Sequence, residues 1–237
     1  MNKIFVLVHG AWSGQYAWAE ITPLLEQAGH RVVAFDLPGH GDDTTPLEQL
    51  TLDRYVAATI SRIEAEPGRV VLVGHSMAGM IISQVAERIP DRIEQLVYVC
   101  AYLPQDGQSA FDFSDPDSLL PPNLVIAADQ RTATIKPEAI VPIFAADCPV
   151  AIQRLVVERH RPEPLAPFQA KVALTDARFG AVPKCYIETL NDVGISTKLQ
   201  RQMLVTNGTV AHVTALDSGH CPFFARPQEL ADILIKC

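Results

Sequence analysis

Six short runs of apolar residues, separated by segments with helical spacing, constrain the fold of this chain more than any other feature. The runs are almost continuously apolar, whereas strands with one face in water alternate between apolar and polar residues. Continuous apolar runs are typical of parallel strands that helices cover on both faces. They span residues 4–8, 31–36, 69–74, 95–101, 184–190 and 212–217.

Helical patterns connect several of these runs. Apolar residues recur at helical spacing over residues 17–29, 52–65 and 77–89. Gly29 is expected to end the first helix, and Pro90 the third. Alternation of strand and helix requires right-handed crossovers and favours a doubly wound sheet. We therefore predict an α/β fold with about six mostly parallel strands flanked by helices.

The alternation stops after the fourth run and resumes at the fifth. The intervening segment is rich in proline and holds two weak helical patterns, over 137–146 and 149–160. An insertion after the C-terminal end of a strand would lie over the sheet edge where α/β proteins bind ligands. A poorly ordered excursion is the alternative, but stretches such as IVPIFAA and AIQRLVV are too apolar to favour it. We predict a core of residues 1–103 and 184–237 and an inserted cap of residues 104–183.

Composition excludes several classes of function. The 237 residues carry a net charge of −8 with no basic cluster, which argues against nucleic acid or an anionic membrane as partner. No apolar run reaches membrane-spanning length, and a strand begins too early to leave room for a secretory signal. The five cysteines are widely spaced and form no metal-binding pattern, so we expect reduced thiols, no metal, no cofactor and a cytoplasmic location.

The stretch VVLVGHSMAG, residues 70–79, places Ser76 between a strand and a helix. Such a serine can simply cap the helix, with its hydroxyl accepting a backbone N–H. It can also occupy a nucleophile elbow, a strained turn that exposes Oγ above the sheet and needs small neighbours. Gly74 meets that need before the serine. Ala78 stands where the motif has glycine, with one extra methyl group, and Gly79 keeps the next helical turn slim. Ser76 is the candidate nucleophile.

A serine hydroxyl is a weak nucleophile and needs a general base that an acid holds in place. On this type of fold the partners follow the serine in the order acid, then histidine, at the ends of later strands. Asp192 follows the fifth apolar run and His220 the sixth. Asp217 lies only three residues before His220, where an aspartate more often stabilises a turn. Glu188 lies within a strand. We therefore predict Asp192 and His220 as partners of Ser76.

The other histidines near glycines are expected to be structural. His9 and His40 lie in glycine-flanked loops, where we expect them to act as hydrogen-bonding partners. His75 neighbours Ser76, but its side chain is expected to project away from the serine Oγ.

An acyl-transfer intermediate needs two backbone N–H groups that bind its oxyanion. We expect one from Met77, the residue after the nucleophile. The second is expected from the loop VHGAWSG after the first strand, where Gly10 allows close approach and Ala11 is the candidate donor. By itself HGAW could be a plain tight turn, and the elbow downstream is what favours the second donor.

With these residues assembled, the chain resembles the plant-type methylesterase and hydroxynitrile lyase family of α/β hydrolases. The resemblance covers nearly the whole chain in order, cap included. It rests on FVLVHGAW, LLEQAGHRVVAFDLPGHG, VVLVGHSMAG, VYVCAYLP, RPEPLAPF, RFGAVPKCYIETLNDVGI and SGHCPFFARPQELADIL. It implies a six-stranded α/β-hydrolase fold with a small cap, the triad Ser76, Asp192 and His220, and oxyanion donors Ala11 and Met77. The family often forms homodimers, so a homodimer is a further expectation.

The family contains both esterases and cyanohydrin-cleaving lyases. Lyases of one stereochemistry carry threonine at the position of Gly10 and lysine directly after the catalytic histidine, where this chain has Cys221. Another lyase group carries asparagine at the position of Gly10. The chain departs from both lyase patterns and keeps the esterase-type loop. It also departs from the plant esterases, with Ala78 in the elbow and CPFF after His220, which puts plant hormone esters in doubt as substrates.

The sequence therefore predicts a serine carboxylesterase that hydrolyses small, largely apolar esters, including carbamate-type esters, through an acyl-enzyme. Trp12, Met77 and Phe223 are the candidate lining of an apolar substrate pocket. The alternatives that stay open are a hydroxynitrile lyase, a non-catalytic or very slow small-molecule receptor, and a peroxidase-like or lactone-cleaving hydrolase that uses the same triad.

Overall fold

A six-stranded parallel sheet forms the centre of the computed structural model, which describes residues 2–237. In chain order the strands are β1 Ile4–Val8, β2 Arg31–Ala34, β3 Val70–His75, β4 Ile93–Val99, β5 Leu124–Ile126, β6 Thr132–Ile135, β7 Glu163–Pro164, β8 Lys184–Thr189 and β9 His212–Leu216. The central sheet has the order β2-β1-β3-β4-β8-β9, and every neighbouring pair in it is parallel. The predicted six-stranded α/β architecture is confirmed.

Helices cover the sheet and account for its continuous apolar strands. In chain order they are α1 Ile21–Gln27, α2 Leu52–Glu64, α3 Ala78–Arg88, α4 Leu120–Asn123, α5 Pro137–Phe144, α6 Val150–Arg159, α7 Ala166–Gln169, α8 Thr197–Asn207, α9 Pro222–Ala225 and α10 Pro227–Lys236. Strands β3 and β8 are buried along their whole length. Because both faces of β3 pack against other elements, its side chains are apolar on both faces over residues 70–73.

Two helices differ from the sequence expectation. The first begins at Ile21 rather than at residue 17, because Pro23 has no N–H group and fits only in a first helical turn. Helix α8 was not predicted, since it buries only three of its residues. Its end signals are nevertheless in the sequence: the Ser196 hydroxyl accepts the Leu199 N–H, and Gly208 ends the helix with φ 65°.

A second, smaller sheet lies within the predicted cap segment. Strands β5, β6 and β7 pair antiparallel in that order, and α4 to α7 belong to the same segment. Sequence analysis anticipated α5 and α6 but not these short strands. The exact cap boundaries at residues 104 and 183 stay a prediction. Within residues 2–237, no helix is both long enough and apolar enough to cross a bilayer.

All five cysteines are free thiols, and four of them are buried. Burial raises the pKa of Cys100 and Cys221 well above its usual range, and raises that of Cys148 to about 12. Cys237 is half-buried, and the neighbouring Cys185 thiol lowers its pKa. Since the thiolate is the reactive form, we expect Cys237 to be the most reactive of the five thiols.

We predict that the native protein reacts with about one equivalent of 5,5′-dithiobis(2-nitrobenzoate), at Cys237, and that the denatured protein reacts with all five cysteines. The absorbance of the released thionitrobenzoate measures both numbers. Cys237→Ser should remove the native reaction and leave the four slow thiols. Rapid modification of two or more cysteines in the native state would contradict the burial of these thiols.

Candidate active site

Ser76 occupies the strained turn that the sequence motif predicted. It lies directly after β3 with φ 55°, a left-handed conformation that serine rarely adopts. Its N–H donates to the Val99 carbonyl at 3.2 Å, and its carbonyl accepts the Tyr102 N–H at 3.1 Å. The cap position of α3 is Met77, where no side-chain capping bond forms, so Ser76 does not cap this helix.

The glycines of the elbow differ in how strictly the packing requires them. A Cβ on Gly74 would lie 3.0 Å from the Ala78 carbonyl oxygen and from two Ile82 carbons, which is tight. A Cβ on Gly79 would lie 1.9 Å from the Tyr102 carbonyl oxygen, which is impossible without movement of the backbone. In the motif, Gly74 is the small residue expected to matter most. The structure assigns the stricter requirement to Gly79, one position beyond the usual motif, because the start of α3 lies directly against Tyr102.

The structure brings Ser76, His220 and Asp192 together. His220 Nε2 lies 3.0 Å from Ser76 Oγ, and His220 Nδ1 lies 2.8 and 3.0 Å from the two carboxylate oxygens of Asp192. A carboxylate can only accept, so Nδ1 carries the proton and Nε2 is left to accept the serine O–H. The arrangement can therefore move a proton from Ser76 to His220 while Asp192 holds the ring.

Asp192 is held by four donors besides the histidine. The N–H groups of Gly194 and Ile195 donate to Oδ1 at 2.7 and 3.0 Å. The Thr189 hydroxyl donates to Oδ2 at 3.0 Å, and the Gln200 amide at 3.3 Å. The carboxylate is thus buried and directed at His220 by the start of α8 and the end of β8. Sequence analysis did not identify Thr189 or Gln200, because their roles depend on where α8 lies.

The two rival carboxylates have other partners. Asp217 is exposed and accepts a hydrogen bond from the Asn191 side chain at 2.8 Å. Glu188 forms an ion pair with Arg201. Neither of them contacts His220, so the arrangement agrees with the choice of Asp192.

His220 is also held through its backbone. Its carbonyl accepts the His75 Nε2–H at 2.8 Å and the Cys100 thiol at 3.3 Å. The preceding N–H, that of Gly219, donates at 2.7 Å to Asp147 on the loop between α5 and α6. His75 thus points away from Ser76 Oγ, as expected. The contact with Asp147 joins the cap to the histidine loop across 72 residues of chain, and no local sequence pattern signals it.

Gly10 lies against the elbow, and here too a side chain would collide. A Cβ on this residue would lie 2.8 Å from His75 Nδ1 and 2.9 Å from Ser76 Cβ. The Gly10 carbonyl accepts a hydrogen bond from His9 Nδ1 at 2.8 Å. In a trans peptide the carbonyl and the following N–H point in opposite directions. His9 therefore fixes the direction of the Ala11 N–H.

The ring of His9 is suited to this role. Burial, together with the neighbouring His40, lowers the pKa of His9 to about 3, so the ring is neutral. Its Nε2 accepts the Leu37 N–H at 3.1 Å, which places the single proton on Nδ1. His9 is thus a structural hydrogen-bonding residue, as the sequence predicted.

The Met77 N–H is fixed in the same way, since its peptide partner is the Ser76 carbonyl that Tyr102 holds. Among residues 2–237, no acceptor for the N–H groups of Ala11 and Met77 is found. The N–H of the next residue, Trp12, is already bound to the Glu163 carboxylate at 2.7 Å. Two free donors therefore lie on the two segments that meet at Ser76.

Two cavities adjoin these residues, and Trp12 lines both. The smaller one, about 20 Å³, is bordered by His220 and Cys221 and lined by aromatic side chains that include Phe223. The larger one, about 280 Å³, lies beneath the cap, and all of its lining residues are apolar or aromatic. They include Trp12, Tyr102, Phe111, Phe113, Leu124 and Phe168. The predicted pocket residue Phe223 thus lies beside the histidine, away from the larger cavity.

One group of side chains has the composition of a metal site. Ligand atoms of His75, Cys100 and His220 lie within 4.8 Å of one another. Both ring nitrogens of His220 already contact Ser76 and Asp192, and the His75 Nε2–H and the Cys100 thiol are directed at the His220 carbonyl. A metal ion would have to break these contacts, so the donor set does not fit one.

Known proteins are similar to this chain in both sequence and fold. A family model described as "Alpha/beta hydrolase family" matches residues 5–233. Methylesterase 8 of Arabidopsis thaliana is 30% identical over 249 residues, which cover 99% of this chain and 89% of that protein. Polyneuridine aldehyde esterase superposes with a TM-score of 0.87 at 25% identity, over 100% of this chain and 99% of that one. A pyrethroid hydrolase from Sphingobium faniae JZ-2 superposes with a TM-score of 0.84 at 25% identity, over 100% and 97%.

We predict that Gly79→Ala lowers the free energy of unfolding by about 2 kcal/mol or more, because the added methyl group must displace the Tyr102 backbone. Alanine favours a helix over glycine by only about 1 kcal/mol, which does not offset that cost. Urea unfolding followed by circular dichroism measures the change. Gly68→Ala is the matched control, since its Cβ would meet nothing nearer than 3.9 Å. Equal stability of the two variants would contradict the close contact at Gly79.

Proposed function

The chain belongs to the alpha/beta hydrolase family, and we propose that it is a serine carboxylesterase that cleaves small, largely apolar esters. The contact of His220 with both Ser76 and Asp192 is the observation that carries this proposal. Its relatives support it, because methylesterase 8 and polyneuridine aldehyde esterase are esterases by name and match almost the full length of this chain.

Acylation begins when Ser76 Oγ attacks the ester carbonyl carbon and His220 Nε2 takes the serine proton. Asp192 keeps the ring oriented and stabilises the imidazolium that forms. The tetrahedral intermediate collapses as His220 returns the proton to the departing alcohol. A water molecule then attacks the acyl-enzyme through the same histidine and releases the acid. The first proton transfer uses the 3.0 Å contact between His220 Nε2 and Ser76 Oγ. In the later steps the departing alcohol or the attacking water takes the place of Oγ next to Nε2.

The oxyanion of each intermediate is bound by the N–H groups of Ala11 and Met77 in this proposal. Two features support these donors. Their peptide planes are held from behind, by His9 and by Tyr102. Their N–H groups have no acceptor within the described residues 2–237. Donors held in place before the reaction need no reorganisation when charge develops, which makes this kind of stabilisation large.

The residue after the histidine favours ester hydrolysis over cyanohydrin cleavage. Burial raises the pKa of the Cys221 thiol well above its usual range, so the side chain is neutral. Lyases of one stereochemistry carry a lysine at this position, and its cation offsets the charge of the departing cyanide. A neutral thiol cannot do so, whereas an alcohol leaving group needs only the proton from His220.

The larger cavity favours an apolar group on one side of the ester bond. It is bordered by Trp12, which follows the donor Ala11, and by Tyr102, which holds the Ser76 carbonyl. Its lining has no charged side chain to bind a charged substituent. We therefore propose that an uncharged alkyl or aryl group of the substrate occupies this space.

A cytoplasmic location and a homodimer stay predictions. Cell fractionation tests the location, and light scattering tests the oligomeric state.

We predict that Ser76→Ala lowers kcat for p-nitrophenyl acetate by at least about a thousandfold, because the nucleophile is lost. The variant should also lose labelling by a fluorophosphonate probe. Ser61→Ala on the exposed face of α2 is the control and should retain both. Wild-type turnover by Ser76→Ala would refute the proposed mechanism, and labelling without turnover in the wild type would favour the receptor alternative.

We predict that kcat/KM rises from p-nitrophenyl acetate to the hexanoate, since each methylene group moved from water into an apolar cavity gains about 0.8 kcal/mol. Leu124→Asp should reduce kcat/KM about tenfold for the hexanoate and about threefold at most for the acetate. Val125→Asp is the matched control, because the next residue of β5 is exposed and does not line the cavity. Equal losses for both esters would place the acyl chain elsewhere.

A further inference from the structure

A buried carboxylate in the cap has no part in the proton transfers described above. Glu163 on β7 is only 1% exposed. Its Oε2 accepts the Trp12 backbone N–H at 2.7 Å, and both of its oxygens lie 3.0–3.1 Å from His40 Nε2. Burying a carboxylate is costly unless it is paired and hydrogen-bonded, and here it has a partner on each side.

Both ring nitrogens of the partner His40 face hydrogen-bond acceptors, an arrangement that favours the charged form of the ring. Its Nδ1 lies 3.0 Å from the Pro38 carbonyl, which can only accept a hydrogen bond. Its Nε2 faces the Glu163 carboxylate, which also only accepts when ionised. Both ring nitrogens therefore donate. Burial disfavours this charge, but the adjacent carboxylate outweighs burial and raises the pKa of His40.

The bond from Trp12 to Glu163 acts on the loop that carries the proposed oxyanion donor. Trp12 has φ 53°, a strained conformation for a residue with a side chain, which persists only where the surroundings enforce it. The indole N–H is also bound to the cap, donating to the Ala133 carbonyl at 3.1 Å. The Ala11 N–H is thus fixed on one side by His9, through the Gly10 carbonyl, and on the other by the Glu163 contact one residue later.

We propose that Glu163 is a positioning residue of the oxyanion hole, which acts by holding the Trp12 N–H and so keeps the Ala11 N–H directed at the oxyanion. His40 in turn contacts both carboxylate oxygens and so keeps the Glu163 side chain in place. The inference rests on the proposed esterase function. If Glu163 had a purely structural role, it would hold the cap in place without affecting the transition state selectively.

Glu163→Leu and Glu163→Gln, of similar size, separate these roles. Leucine removes the acceptor, whereas the glutamine Oε1 can still accept the Trp12 N–H and its Nε2–H can donate to neutral His40. Because an oxyanion donor acts mainly in the transition state, Glu163→Leu should lower kcat for p-nitrophenyl acetate at least about tenfold and leave KM within about twofold. Glu163→Gln should restore kcat to within about threefold of the wild type.

A transition-state analogue adds an independent measurement. The serine Oγ adds to the carbonyl carbon of a trifluoromethyl ketone and forms a tetrahedral adduct with an oxyanion. The inhibition constant of this ketone should therefore rise in Glu163→Leu by a factor similar to the loss of kcat. Glu163→Ala, which removes the acceptor without adding bulk, is measured in parallel in case the leucine variant does not fold. Glu158→Leu, at an exposed position of α6 in the same cap, is the control and should behave as the wild type.

Several outcomes would overturn the inference. Unchanged kcat in the Leu and Ala variants shows that the contact does not matter to catalysis. Parallel losses of kcat, substrate affinity and thermal stability show a structural role only, and a glutamine variant as impaired as the leucine variant shows that the acceptor oxygen is not the cause. An inactive wild type refutes the proposed function and this inference with it, whereas an active wild type with unaffected variants refutes this inference alone.

Discussion

The left-handed turn at Ser76 is the constraint on which the rest of the site depends. A serine with φ 55° stores backbone strain, and such strain persists only when neighbouring elements hold the turn. Here the backbone of Ser76 is bonded on one side to Val99 and on the other to Tyr102, both at the end of β4 or just beyond it. Because α3 lies against the Tyr102 backbone at position 79, that position requires glycine.

Hydrogen bonds to backbone carbonyls also orient the two free N–H groups near the serine. In each case a carbonyl is bound from behind, and the planar peptide turns the following N–H toward the opposite side. His9 does this for Ala11, and the Tyr102 N–H does it for Met77. The site therefore depends on side chains and backbone groups that never face a substrate, and the Trp12 contact with Glu163 extends this support into the cap.

Much of this arrangement could be anticipated from local patterns. The six apolar runs predicted the parallel sheet, and the chain order of serine, aspartate and histidine at strand ends predicted which side chains would meet. These predictions succeed because parallel strands bring their carboxyl ends to one edge, so position along each strand decides proximity. Helix α8 was missed although both of its end signals were present, because few of its residues are apolar.

The contacts between cap and core could not be anticipated. Glu163 meets Trp12 across 151 residues of chain, and Asp147 meets Gly219 across 72. An acidic residue in a proline-rich segment has the same local pattern whether it is solvated or buried, and only packing of the cap decides which. The sequence by itself determined the sheet, the elbow and the identity of the three side chains that meet. The tertiary structure alone decided which distant groups hold them, because hydrogen bonds between segments far apart in sequence form only after the cap and core have packed together.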